Sequence, residues 1–304
     1  MKRKDLLGLR DISADEIMTI LDMGKEMRAR LDANEAGTEL KGKTVATLFY
    51  ENSTRTRVSF EKAARCLGAQ TTGITAQASS VQKGESLIDT GKTLQSLLTD
   101  AIVIRHPSSG APHFLAKNID IPVINGGDGT NEHPTQALLD MLTVYRAFGD
   151  FRGLKVVIAG DIKHSRVARS NIWGLKKLGA EITLVAPETL LPAASSRLGC
   201  EVSYNLEEAV CGANVIIALR LQLERQTAGL FPSAAEYHRY YGITDRILHK
   251  ADAGVLLMHP GPINRGLEVS GAAADGECSV ILDQVTNGVA VRMAVLKLLC
   301  AAAY

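Results

Sequence analysis

At 304 residues and 46% hydrophobic composition, the chain has material for two packed α/β units, each with its own core. A formal net charge of +1 provides no broad field for nucleic acid or a membrane surface, so any anion chemistry must be local. The cysteines, Cys66, Cys200, Cys211, Cys278 and Cys300, are odd in number, scattered and without a C-x-x-C pair, which excludes a disulfide frame or zinc site and points to reduced thiols in the cytoplasm.

The basic start Met1-Lys2-Arg3-Lys4 has no apolar stretch behind it, and no segment reaches membrane-spanning length. Ser13-Ala14-Asp15-Glu16 then sets a Ser three residues before a Glu, ahead of Ile17, Ile20, Leu21 and Met27. This is a capping box opening an amphipathic helix. The β-branched and aromatic run over residues 45–50 predicts a buried strand. It breaks at Glu51-Asn52-Ser53-Thr54, and over 55–67 the period becomes helical, with Phe60, Ala63, Ala64 and Leu67 on one face. A strand feeding a helix in this way leaves backbone N–H groups aimed at one spot with the helix dipole behind them. Ser53, Thr54, Arg55, Thr56 and Arg57 can complete an anion cradle there. Taken alone, Ser-Thr-Arg-Thr is equally an ordinary N-cap with solvated arginines.

Residues 71–80 are short-side-chained and polar, and with Val81-Gln82-Lys83-Gly84-Glu85-Ser86 they predict a mobile loop. A helix follows over 87–99, then an apolar strand over 101–104 that stops at Arg105-His106-Pro107. The next strand, 121–124, runs into the loop Asn125-Gly126-Gly127-Asp128-Gly129, and a helix opens at His133-Pro134-Thr135-Gln136 and continues to about residue 148. Gly149-Asp150-Phe151-Arg152-Gly153 breaks the pattern and marks the end of the first domain.

Beyond it come strands over 154–159, 180–185, 214–219 and 254–258, a helix over 166–178, and a long final helix over 284–303. Alternating strands and helices in both halves predict an α/β fold with two doubly wound parallel sheets and a cleft between them. The predicted strands end in polar groups: Arg55 just past the first, then Arg105, His133, Arg166, Arg220 and the His259 turn. In a parallel sheet such ends share one edge, where ligands bind. Gly160-Asp161 after a strand lacks G-x-G-x-x-G, which argues against a dinucleotide site, and no cofactor or metal is expected.

Several short strings carry a resemblance. Phe49-Tyr50-Glu51-Asn52-Ser53-Thr54-Arg55-Thr56-Arg57 resembles the carbamoyl-phosphate signature of the aspartate/ornithine carbamoyltransferase family, and His133-Pro134-Thr135-Gln136 resembles its second signature. Ser165-Arg166-Val167-Ala168-Arg169 with Arg220-Leu221-Gln222, and the turn His259-Pro260-Gly261-Pro262, resemble its later motifs in the same order. The resemblance implies a carbamoyl-phosphate-binding domain at 1–148, an aspartate-binding domain at 149–283 and a C-terminal helix, 284–304, returning to the first. It implies Ser53, Thr54, Arg55 and Thr56 on the phosphate, Thr56, Arg105 and His133 around the carbonyl oxygen, and Gln136 with the backbone at Gly261 and Pro262 on the carbamoyl group. Arg166 would take the α-carboxylate of L-aspartate, and Arg220, assisted by Gln222, its side-chain carboxylate. Ornithine enzymes carry H-C-L-P where Pro260 stands here, and Arg220 would repel an ornithine ammonium, so the aspartate branch is expected.

Lys83, with Ser79 or Ser80, would reach the neighbouring site of a homotrimer. The expected reaction is carbamoyl transfer to L-aspartate in pyrimidine synthesis, giving N-carbamoyl-L-aspartate and phosphate. Another carbamoyl acceptor, or a non-catalytic anion-binding subunit, is the alternative. A regulatory chain or a dihydroorotase would be a further partner, on surfaces that no motif marks.

Overall fold

The computed structural model describes residues 3–75, 84–193, 195–222, 230–231 and 233–301, so Ser79, Ser80 and Lys83 lie outside the described residues. The chain forms two units, Met1–Leu142 with Thr286–Tyr304, and Thr143–Val285.

In the first unit, helix α1 (Ala14–Asp32) starts at the expected capping box: Glu16 N–H donates to Ser13 Oγ at 3.2 Å and Ser13 N–H to Glu16 Oε2 at 2.9 Å. Strand β1 (Thr44–Phe49) leads into α2 (Thr54–Cys66), β2 (Gln70–Thr75), α3 (Leu87–Ser96), β3 (Ala101–His106), α4 (Ala111–Ala116), β4 (Val123–Asp128) and α5 (Pro134–Phe148), which belongs to this unit as far as Leu142. The strands are all parallel, in the order β2-β1-β3-β4. From β1 the chain winds through α2 to β2 on one side, and from β3 through α4 to β4 on the other. The winding therefore reverses between β1 and β3, where Phe49 and Arg105 are in register. Ala46, Leu48, Ile102, Ile104, Leu115 and Val123 form the core beneath.

Two sequence expectations change here. Residues 71–75, the first part of the expected mobile loop, lie in strand β2, paired only to β1. An edge strand with largely exposed polar residues needs no apolar alternation, so the pattern that marks a strand was missing. The expected loop from Asn125 to Asp128 instead continues β4, which is buried throughout. A Cβ on Gly126 would lie 3.2 Å from the Ile104 carbonyl oxygen, a tight contact, and Gly127 takes φ 115°, which favours glycine.

An ion pair ties α1 to the connection before β1. Arg30 Nη1 donates to Glu39 Oε1 in a short contact, and Lys297 Nζ lies 3.6 Å from the same oxygen. The hydrogen bond from Arg30 holds the Glu39 carboxyl down from an ordinary 4.5 to about 2. Since the folded value lies below the unfolded one, this stabilisation is complete above pH 4.5 and is lost as the pH falls through about 2. Glu39→Gln should unfold at lower denaturant than the parent at pH 7, with the gap closing progressively below pH 4.5. Denaturant midpoints for both proteins across that range check it.

In the second unit, β5 (Lys155–Ala159), α6 (Arg166–Lys177), β6 (Glu181–Val185), β7 (Glu201–Ser203), α7 (Leu206–Ala209), β8 (Val215–Ala218), α8 (Ala234–Tyr241), α9 (Asp245–Leu248), β9 (Leu256–Met258) and α10 (Gly271–Asp275) follow in order. The parallel order β7-β6-β5-β8-β9 places the reversal between β5 and β8. Gly160, at φ 124°, closes the end of β5 against β8: a Cβ there would sit 2.8 Å from the Leu219 carbonyl oxygen. Val157, Ile216, Val255, Leu257 and Val269 lie in its core.

The last helix, α11 (Ile281–Cys300), belongs to the first unit from Thr286 onward. Ala290, Val291, Ala294 and Leu296 are fully buried, and Asn287 Oδ1 accepts from Arg28 at 2.7 Å. No described helix is long and apolar enough to cross a membrane.

Candidate active site

Among the serines preceding described helices, Ser13, Ser86, Ser165, Ser233 and Ser270 each accept a hydrogen bond from the third helical residue. Ser53, before α2, makes no such bond. The first turn of α2 also carries no acid and instead presents Arg55 and Arg57, the reverse of what the helix dipole favours in an isolated helix. A hydroxyl not used for capping, a helix N-terminus and two guanidinium groups suit a bound dianion better than a solvated end. This weighs against the simple N-cap reading of Ser-Thr-Arg-Thr. Thr56 is buried in that turn, while Thr54 and Arg55 are exposed.

Arg105 is the penultimate residue of β3, directly across from the end of β1. Its Nε lies 3.2 Å from Glu51 Oε2, its Nη1 donates to the Gly126 carbonyl at 3.2 Å, and its own carbonyl accepts from Tyr50 N–H at 2.9 Å. The guanidinium is thereby oriented by the turns after β1 and within β4. His133 is buried just before α5, its carbonyl accepting from Gln136 N–H at 3.0 Å and Ala137 N–H at 3.2 Å.

Carboxylates that sequence reasoning missed hold the segment leading to His133. Asp128 accepts from Asn125 Nδ2 at 2.8 Å, Glu132 N–H at 3.1 Å and Gly110 N–H at 2.7 Å. Glu132 in turn accepts from Leu9 N–H at 2.6 Å and Arg10 N–H at 3.2 Å. Both acids are buried, and burial cannot be read from a charged letter within a glycine-rich run. Ser53, Thr54, Arg55, Thr56 and Arg105 thus gather at the β1/β3 reversal, with His133 and Gln136 after the neighbouring β4.

In the second unit, Arg166 is the first residue of α6 and is buried, and Ser165 caps that helix by accepting from Ala168 N–H at 3.1 Å. Arg220 follows β8. The fully buried Asp161 ties the two segments together, lying 2.7 Å from His164 Nδ1 and accepting from Gln222 N–H at 3.3 Å. Arg166, Arg220 and Gln222 therefore flank the β5/β8 reversal. Asp161 was legible only as part of a turn after a strand.

Past β9, the adjacent strand, the turn bearing Gly261 and Pro262 is held by a buried pair. His259 Nδ1 accepts from Gly261 N–H at 2.8 Å, which leaves the ring proton on Nε2, 3.2 Å from Glu268 Oε1. The same Glu268 oxygen accepts from Asn264 N–H at 2.6 Å. The backbone at Gly261 and Pro262 is thus fixed from both ends.

Residues 4–146 match the family model described as aspartate/ornithine carbamoyltransferase, carbamoyl-P binding domain, and residues 152–299 match its Asp/Orn binding domain. The chain belongs to the aspartate/ornithine carbamoyltransferase family. An aspartate carbamoyltransferase catalytic subunit of Caldanaerobacter subterraneus subsp. tengcongensis is 56% identical, covering 99% of both chains. Among solved carbamoyltransferases, the ornithine enzyme of Pyrococcus furiosus superimposes with a TM-score of 0.88 at 33% identity, covering 99% of this chain and 98% of that one. The aspartate transcarbamoylase of Trypanosoma cruzi, in complex with N-(phosphonacetyl)-L-aspartic acid, also scores 0.88, at 30% identity over 97% and 95% of the two chains. Equal backbone likeness to both branches means that the acceptor is distinguished by side chains, not by the carbamoyltransferase fold.

Proposed function

We propose that this chain transfers the carbamoyl group of carbamoyl phosphate to the amino group of L-aspartate, giving N-carbamoyl-L-aspartate and phosphate, as a step of pyrimidine synthesis in the cytoplasm. The observation that carries the reading is the sorting of charge between two sheet reversals. An uncapped, arginine-bearing helix end lies at the first, and the guanidinium pair Arg166 and Arg220 at the second. The first suits a phosphate dianion and the second a dicarboxylate, each guanidinium gripping one carboxylate bidentately.

In this reading residues 1–148 bind carbamoyl phosphate, 149–283 bind aspartate, and 284–304 support the first domain. Ser53, Thr54, Arg55 and Thr56 hold the phosphate. Attack of the neutral amine builds negative charge on the carbonyl oxygen, which Thr56, Arg105 and His133 stabilise while Gln136 and the backbone at Gly261 and Pro262 hold the carbamoyl nitrogen. The C–N bond forms as the C–O bond to phosphate breaks, and the departing phosphate accepts the amine proton. Orientation of the amine supplies much of the rate.

Phosphate release from carbamoyl phosphate, assayed with aspartate and with ornithine in parallel, tests the function. Turnover with aspartate alone is expected. Turnover with ornithine alone would reassign the acceptor, and turnover with neither would leave an anion-binding subunit.

The working unit in this reading is a homotrimer in which Lys83 and Ser79 or Ser80 complete the adjacent site, with a regulatory chain or a dihydroorotase as further partners. Mixing inactive Arg55→Ala and Lys83→Ala chains should then restore part of the activity, because some sites receive both native residues. Inactive mixtures with verified subunit exchange would rule sharing out.

A further inference from the structure

Gln136 and Asp140 lie one turn apart on α5, 9% and 1% exposed, and Gln136 Nε2 donates to Asp140 Oδ1 at 3.0 Å. A carboxylate only accepts hydrogen bonds, so the NH₂ end of the amide must face Asp140. The Gln136 oxygen then turns the other way, as an acceptor.

Arg292 of α11 supplies the opposite charge. It is 3% exposed, its guanidinium lies 5.1 Å from the centre of the Phe60 ring, and its Nη1 donates to Ser59 Oγ at 3.0 Å and to the Gly288 carbonyl at 2.9 Å. Burial pulls its pKa down to about 10, with the Asp140 charge opposing the fall, so it remains a cation at neutral pH. Arg292 and Asp140 thus carry opposite charges in one interior.

We propose that Asp140 is a positioning residue that fixes the Gln136 amide with its oxygen toward the substrate and so makes the site select a carbamoyl over an acetyl phosphate. This rests on reading Gln136 as carbamoyl-binding. A carbamoyl NH₂ donates to that oxygen, whereas the methyl of acetyl phosphate, of nearly the same size, cannot and leaves a buried acceptor unsatisfied.

Calorimetric binding of carbamoyl phosphate, acetyl phosphate and inorganic phosphate to the full chain tests it, with no amino-acid acceptor present. In Asp140→Ala, preference for carbamoyl over acetyl phosphate should fall roughly tenfold or more, while inorganic phosphate, which touches only the cradle, binds within about twofold of wild type. Asp140→Asn keeps an acceptor oxygen without the charge, so it should retain most of the selectivity even where its melting temperature falls. If Asp140→Ala does not fold, the double variant Asp140→Ala/Arg292→Met, which removes both buried charges, is read in its place.

A parallel weakening of all three ligands, or a preserved preference in the Ala background, would overturn the proposal. A wrong acceptor assignment leaves this binding test intact. Failure of the wild-type chain to bind carbamoyl phosphate would overturn both readings.

Discussion

Replacing Arg55 by Ala should lower kcat/KM for carbamoyl phosphate by about a thousandfold, roughly 4 kcal/mol of transition-state stabilisation. The expectation comes from the helix end it occupies. α2 begins with a serine that makes no capping bond and with no acidic residue in its first turn, and in the proposed reading the phosphate dianion complements that end. Arg55 is exposed, so the melting temperature of the unliganded variant should stay close to that of the parent. Steady-state phosphate release and calorimetric carbamoyl-phosphate binding on the same preparation measure both. Unchanged affinity would exclude α2 as the phosphate cradle.

Arg220→Ala should act on the other substrate, reducing kcat/KM for aspartate about a hundredfold, near 2.7 kcal/mol, with carbamoyl-phosphate binding unchanged. The segment bearing Arg220 is anchored independently of that side chain. Leu219 N–H donates to the Ala159 carbonyl at 2.7 Å and Gln222 N–H to Asp161 at 3.3 Å. Truncating the side chain therefore removes a carboxylate partner without releasing the loop. Lysine at 220 should recover little, because one ammonium point charge does not replace a planar two-donor fork. Equal losses with aspartate and with an acceptor lacking the side-chain carboxylate would place Arg220 elsewhere than on that group.

Much of the scaffold around these residues was legible because its elements bury one face. The change of period between β1 and α2 is plain where Phe60, Ala63 and Ala64 recur at helical spacing after a continuous apolar strand, and all three are buried. The same logic hides β2, whose polar residues at a sheet edge leave no alternation to read, and β7, whose three residues are too few for a period. It also cuts β4 short, since Gly126 and Gly127 signal a turn while packing against β3 favours glycine within a strand. Site residues in short signature strings, such as Arg55 and His133, stood out by resemblance. The acids that hold them, Asp128, Glu132, Asp140 and Asp161, did not, because their role comes from burial beside distant partners and a charged letter ordinarily reads as solvated surface.

The serine at the start of α2, whose side chain caps no helix N–H, would make the proposed ligand the finishing piece of a secondary-structure element. If a dianion fills that position as proposed, occupancy and local order at the first turn are coupled. Inorganic phosphate alone should then slow amide exchange over residues 54–57 and raise the melting temperature with the logarithm of its concentration, so that the released product acts as a folding cofactor for the segment that receives the next substrate.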